Sequence, residues 1–378
     1  MSRWLIVSGD FTTQGGMDRA NHAQASYLAG RGHDVHLVAH RVADDLASRP
    51  NVHVHDVPRP LQAHLAGAPW LSREARRQAR ALGPSARVLV NGGNATGQAT
   101  WVHYVHAAHE PRVEASLRSR LSASIGRHYY LARERAVVSA ARLIICNSER
   151  TASDVQRHYG VPSGRLQVVY YGVDQELFGA VTPDERRTVR AALGIDPGRR
   201  AALFIGALGD RRKGFDRLFD AWRTLAGDAD WDVDLLVAGT GAERAAWQAR
   251  SLEAGLGSHV QFLGFRRDVA TVIAAADVLV HPARYEAYGL GVHEAICRGV
   301  PAIVSASAGI AERYPDLARD LLVPEPGDSP QLIATLRRWR ADADAWPSKI
   351  APFVSTLRSR SWDVMAAEIA ALVEVVSG

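Results

Sequence analysis

Glu286 and Glu294 stand in RYEAYGLGVHEAICRGVPAIVS (284–305), a glycine-containing stretch between two apolar runs, with seven residues between them. Two carboxylates so placed could be a solvated face, an acid/base pair, or two separate contacts to one ligand. In a continuous helix they would lie about 12 Å apart along the axis. Gly289 breaks the run, which leaves Glu286 on a loop and Glu294 roughly one turn into a short helix. The spacing argues against a close dyad. It suits contacts to different parts of one extended ligand, with the helix N-terminus between them open to a phosphate.

A second candidate is LGDRRKGFDRLFDAW (208–222). Arg211, Arg212 and Lys213 cluster just before a helix that Gly214 opens. Cations at a helix start suit a diphosphate whose charge grows as a bond to it breaks. Lysine is otherwise rare: Lys213 and Lys349 are the only two among 45 basic residues, so an arginine-biased composition has left a lysine at this spot. A third candidate is the Gly15-Gly16 pair in GDFTTQGGMDRANHA, just before a helix, where backbone N–H groups can approach an anion. GTGAERA (239–245) has the start of a dinucleotide fingerprint, but Arg244 replaces its third glycine, which argues against a nicotinamide cofactor. Asp228-Ala229-Asp230 and Asp232-Val233-Asp234 have the D-x-D form of some metal sites. They precede a strand, at the wrong end of a sheet, and read as turn residues. Fifteen histidines include no H-E-x-x-H and no zinc spacing, so no metal site is expected.

These loops need a scaffold. WLIVSG, DVHLVAH, NVHVHDV, ARVLVNGG, ARLIICNS and RLQVVYYG read as strands, with amphipathic runs such as DRANHAQASYLAGRG between several of them. The pattern restarts with RRAALFIGA, DVDLLVAG, HVQFLGF, DVLVHPA and VPAIVSA. Alternation of this kind predicts parallel α/β sheets, with ligands beyond the carboxyl ends of the strands and a cleft between two such domains. The chain of 378 residues fits two domains. Their junction falls near 173–185, and SWDVMAAEIAALVEVV forms a long closing helix. No apolar run reaches a membrane span, the first apolar stretch is too short for a secretion signal, and two cysteines are no disulfide framework. A reduced, cytoplasmic setting is expected. The net charge of +5 favours an anionic partner, but no nucleic-acid module is visible.

HPARYEAYGLGVHEAICRGVPAIVSASAGIAE resembles the E-x7-E signature of retaining glycosyltransferases of family 4, which have the two-Rossmann GT-B fold. QGGMDRA, NSERTASDV, VVYYGVD, FIGALGDRRKGFDRL and SWDVMAAEIAAL resemble further family segments in order, so the likeness covers nearly the whole chain. The resemblance implies an N-terminal acceptor-side domain over 1–175, a nucleotide-sugar domain over 176–361, and a helix over 362–378 crossing back to the first. It implies transfer of a hexose or related sugar from a nucleotide-diphosphate sugar to a glycan, lipid-linked or small-molecule acceptor hydroxyl, with retention and without a metal or other cofactor. Carried onto this chain, Glu286 contacts the transferred sugar and Glu294 the ribose. Arg212 and Lys213 hold the diphosphate, Gly16 beside Gly15 lends a backbone N–H, and Phe265 and Arg266 flank the base. Tyr288, Gly289, Leu290 and Gly239 complete the donor set. His106 is the family's N-terminal histidine near the sugar, with His103 as the fallback on the acceptor side.

The chain departs from the family pattern at Ala207, where many members carry arginine, at Ala308 and Ala311 in the loop by the sugar, and at Ala287-Tyr288 after the first glutamate. An epimerase or phosphorylase on the same fold and a non-catalytic sugar-nucleotide sensor are the alternatives; intact Glu286, Arg212, Lys213 and Glu294 speak against the sensor. Residues 111–142 carry seven arginines against two glutamates. They read as a packed helix with a wet arginine face, the alternatives being a basic acceptor groove or a peripheral contact with the inner face of a membrane.

Overall fold

A computed structural model describes residues 2–62, 64–109, 117–209, 211–324 and 328–377. The chain divides into two compact units. One contains residues up to 109, 117–172 and the C-terminal segment from Arg360; the other runs from Val173 to Ser359. The strand pattern puts the junction near 173–185, and the resemblance implies borders after 175 and 361.

In the N-terminal unit the apolar runs form a seven-stranded sheet: β1 (Arg3–Val7), β2 (Asp34–Ala39), β3 (Val52–Asp56), β4 (Arg87–Asn91), β5 (Ala99–Val102), β6 (Leu143–Cys146) and β7 (Leu166–Val168). All neighbours pair in parallel, in the order β3-β2-β1-β4-β5-β6-β7. The central strands are buried on both faces, which is why they read as apolar runs without alternation. β5, ATWV, had not been recognised: four residues between Gln98 and His103 are too short a run to stand out. Helix α1 (Gly16–Gly30) follows β1 and ends where the glycines stop it, Gly32 having a left-handed φ of 76°.

The Trp362–Ser377 helix belongs to this unit. Met365, Ala366, Ile369, Ala370 and Val373 form its buried stripe, and the Gln24 amide of α1 donates to the Ala366 carbonyl at 3.3 Å. Gly172 permits the join. A Cβ there would lie 2.3 Å from the Ser361 carbonyl oxygen.

The C-terminal unit repeats the plan with β8 (Arg200–Ile205), β9 (Val233–Ala238), β10 (Val260–Gly264), β11 (Val278–His281), β12 (Ala302–Ser305) and β13 (Leu322–Val323), all parallel, ordered β10-β9-β8-β11-β12-β13. Five of the six were legible; β13 is only two residues long. The strand order reverses between β8 and β11. In open parallel sheets that reversal opens a crevice at the carboxyl ends, and ligands bind there. The loops that follow β8 and β11 carry the basic cluster and Glu286.

The D-x-D segments are occupied at the amino end of β9. Asp232 takes a bidentate pair from Arg340, and both oxygens of Asp234 accept from the Arg199 Nε–H at 2.9 Å. Among the described residues no helix is long and apolar enough to cross a membrane. Residues 111–116 of the basic stretch lie outside the described residues. Within its Leu117–Ala140 helix, Arg133 donates to the Gly93 carbonyl and the Ser72 hydroxyl, and Arg135 lies over the Tyr159 ring. Arg133 is half-buried and tied into the fold, whereas Arg135 is exposed and keeps the wet face that the helix reading expected.

Candidate functional site

Three loops of the C-terminal unit are held together by backbone contacts that only glycine allows. Gly214 has φ 74° and is the N-cap of α2 (Phe215–Leu225); a Cβ on it would lie 1.9 Å from the Pro282 carbonyl oxygen. Gly239 faces the Gly206 carbonyl, where a Cβ would come within 1.8 Å. The basic loop after β8 is thereby pressed against the loops after β11 and β9. Gly239, expected to touch the donor, has this packing role in the structure.

Arg284 completes the clamp. Its guanidinium makes two 2.6 Å bonds to Asp216 in the first turn of α2, its Nη1 donates to the Arg211 carbonyl at 2.7 Å, and its backbone N–H donates to the Arg212 carbonyl at 2.8 Å. Such a two-pronged guanidinium–carboxylate pair fixes orientation as well as distance. Sequence reasoning missed Arg284 because the chain is full of arginines and its carboxylate partner lies 68 positions away.

The clamp sets Lys213 beside Glu286. The Lys213 ammonium donates to Glu286 Oε2, and His281 Nε2 lies 2.7 Å from the same oxygen. All three side chains are largely shielded from solvent. Burial alone would raise the Glu286 pKa, but Lys213, the His281 hydrogen bond and the charge of Arg212 outweigh it and hold the carboxyl well below its ordinary range. Burial lowers the His281 pKa, the Glu286 bond opposing. The arrangement is therefore an ionised carboxylate between an ammonium and a neutral imidazole that donates through Nε2. His281, the last residue of β11, was not singled out from sequence: a lone histidine ending an apolar strand carries no signal until its neighbour in space is known.

Backbone bonds orient the rest. Gly309 N–H donates to the Glu286 carbonyl at 3.0 Å and Ile310 N–H to the Tyr288 carbonyl at 2.7 Å, so the loop altered at Ala308 and Ala311 is docked on the Glu286 segment. Gly289, with φ 109°, caps α3 (Leu290–Cys297), and Leu290 begins it. Glu294 lies one turn in and is buried. The Tyr288 ring is buried too, its hydroxyl 2.8 Å from His293 Nδ1. Its side chain thus braces α3. Arg212 Nη1 approaches the Tyr285 carbonyl at 3.4 Å. Phe265 is 65% exposed at the end of β10, a free aromatic face, and Arg266 beside it pairs with Asp268 at 2.6 and 2.8 Å.

In the N-terminal unit, Gly15 has φ 81° and caps α1, which Gly16 begins. Asp18, in the first turn, has its pKa raised to about 6 by burial and then by Asp10. His106 is anchored: its backbone N–H reaches both oxygens of buried Glu134 at 3.0 and 3.2 Å, its Nδ1 lies 3.2 Å from one of them, and Tyr130 stacks on its ring. It remains 40% exposed. His103 differs. Burial drives its pKa down to about 3, and its Nδ1 is bonded to the Tyr171 hydroxyl. Of the two, His106 is the one a substrate could reach.

Residues 185–347 match the model described as Glycosyl transferases group 1, and 14–177 match Glycosyltransferase Family 4. Together they cover most of the chain. The chain belongs to the family 4-like glycosyltransferases. Lipopolysaccharide glucosyltransferase WaaG of Escherichia coli (strain K12) is 29% identical over 247 residues, 64% of this chain and 66% of that protein. A D-inositol 3-phosphate glycosyltransferase of Mycobacterium sp. (strain KMS) is 34% identical over 184 residues, 47% of this chain. The matches therefore span slightly under two thirds of the first relative's length and 40% of the second's. A crystal structure of WaaG superposes with a TM-score of 0.78 at 23% identity, covering 98% of this chain and 99% of that one. The fold of this family member is GT-B, as the E-x7-E resemblance implied.

Proposed function

We propose that this protein is a retaining glycosyltransferase that moves a hexose or related sugar from a nucleotide-diphosphate sugar to an acceptor hydroxyl, without a metal. Its similarity to WaaG and to the inositol phosphate glycosyltransferases supports a glycan, glycolipid or small polyol phosphate as acceptor. The observation that carries the reading is the Lys213–Glu286–His281 cluster at the strand-order reversal of the C-terminal sheet. An ionised carboxylate flanked by donors suits sugar hydroxyls, and cations at a helix start suit a diphosphate leaving group.

In this reading Glu286 accepts hydrogen bonds from the transferred sugar and Glu294 from the ribose, while the exposed Phe265 ring, beside Arg266, stacks on the base. Lys213 and Arg212 stabilise charge that develops on the departing diphosphate, so they act more strongly on the transition state than on the bound donor. The diphosphate oxygen takes the acceptor proton on the face it leaves, which gives retention.

Lys213→Ala tests the assignment. On whichever of UDP-, GDP-, ADP- or dTDP-sugars the wild type uses, kcat/KM is expected to fall on the order of 10²–10³-fold, with the melting curve confirming a folded variant. An unchanged rate would sink the proposal. NMR of the first-formed product reads the anomeric configuration, and inversion would overturn the retaining part alone.

A further inference from the structure

The edge of the N-terminal sheet holds a cluster that the glycosyltransferase reading does not use. β2 and β3 pair with His36 opposite His53, and their alternation brings Asp34, His36, His53 and His55 together. His53 Nε2 lies 2.8 Å from Asp34 Oδ1, and His36 Nε2 lies 3.4 Å from Asp34 Oδ2. One ligand atom from each of these three residues can be chosen so that all lie within 4.8 Å of one another. Around a tetrahedral ion with bonds of about 2.0–2.1 Å, ligand atoms stand about 3.3 Å apart, so small side-chain rotations close the set. The other nitrogen of His36, Nδ1, is 3.0 Å from His55 Nε2, and the two rings are nearly parallel at 7°. A hydrogen bond to the nitrogen away from the metal is the usual device that fixes a ligating imidazole's tautomer.

We propose that Asp34, His36 and His53 hold a divalent transition-metal ion of the Zn2+ type at this sheet edge, with His55 as the hydrogen-bonded support of His36. Two imidazoles and a carboxylate are the ligand chemistry of Zn2+, Co2+ and Ni2+, with one position left for water. Asp34 begins β2, and His53 is the second residue of β3, so the cluster sits at the amino ends of the strands. The Gly15-Gly16 loop follows the carboxyl end of β1 in the same sheet. The ion is thus a staple for the outermost strand, β3, and takes no part in sugar transfer. The expectation of no metal site rested on ligands spaced along one segment; here two strands supply them.

The test is titration of the full-length, chelator-treated protein with ZnCl2 and CoCl2, followed by calorimetry, thermal melting and, for Co2+, visible absorption. One saturable ion per chain is expected, with a raised melting temperature and the intense bands of four-coordinate cobalt. His53 is 48% exposed, so His53→Gln leaves the fold intact while removing a ligand; binding should weaken more than 100-fold. His55→Gln should weaken it about 10–100-fold, and His128→Gln, at an unrelated exposed histidine, not at all. Weak binding of several ions, or equal binding by wild type and His53→Gln, overturns the proposal. Metal-free melting of each variant separates loss of the ion from loss of the fold.

Discussion

At the scale of single residues, the site turns on one carboxylate. Glu286 is ionised in the folded chain at pH values where an ordinary glutamate has taken up its proton, because Lys213 and His281 face it. Unfolded, its pKa returns to about 4.5. A depressed pKa contributes stability above the unfolded value and loses it as pH falls from 4.5 toward the folded one. His281 adds a loss that begins higher, below 6.5, because its folded pKa is lowered and the unfolded chain takes up the proton first. Glu286→Gln leaves the Lys213 ammonium and the His281 N–H without their anion, at a cost of roughly 1–3 kcal/mol near pH 7. With His281→Gln as the common background, so that no imidazole titrates there, urea unfolding at pH 7, 5 and 4 should show the gap between the chain that keeps Glu286 and its Glu286→Gln variant narrowing toward acid, because only the glutamate-bearing chain loses stability as that carboxylate's unfolded form takes up its proton. A gap of the same size at all three values would mean that the carboxylate is not held ionised by its neighbours.

At the scale of elements, glycines decide how closely the loops pack. Gly214→Ala puts a methyl 1.9 Å from the Pro282 oxygen at a left-handed φ, so the basic loop must lift from the loop after β11. Strain of this kind costs on the order of 1–3 kcal/mol, and Lys213 moves away from Glu286 with it. Gly291 is the contrast: it lies inside α3 with nothing within 4 Å of a Cβ, so Gly291→Ala should stabilise by roughly 0.5–1 kcal/mol. Chemical denaturation of the two variants checks both signs, and a stable Gly214→Ala would refute the close approach. Most elements were legible because a strand buried on both faces is an apolar run in any context, and because Gly15, Gly214 and Gly289 mark helix starts by their backbone freedom. The basic loop and the two glutamates were legible for the same local reason. His281, Arg284 and the brace between Tyr288 and His293 were not. Arg284 takes its meaning from Asp216, 68 positions away, which the fold brings to it; His281 and Tyr288 meet Glu286 and His293 five positions on, through a loop conformation that no periodic pattern encodes. Packing turns the Tyr288 ring inward, against His293.

At the scale of the whole molecule, sequence order and physical unit part company at the C-terminus. The chain leaves the second unit after Ser359, and its last helix completes the core of the first. Arg360 donates to the Tyr170 carbonyl at 2.9 Å, and Arg19 of α1 lies over the Trp362 ring. Ile369 is fully buried in the stripe that faces α1. Ile369→Ala removes that packing and leaves a cavity, which costs about 2–5 kcal/mol. The loss should fall on the N-terminal unit although the substitution lies nine residues before the last residue of the chain. Native-state hydrogen exchange resolves where it falls, because local openings are read segment by segment. Protection is expected to drop along α1 and β1 and to stay unchanged along β8 and β11. A drop concentrated in β8 and β11 instead would show that the helix stabilises the unit it follows in sequence, and would refute the assignment of the Trp362–Ser377 helix to the first core.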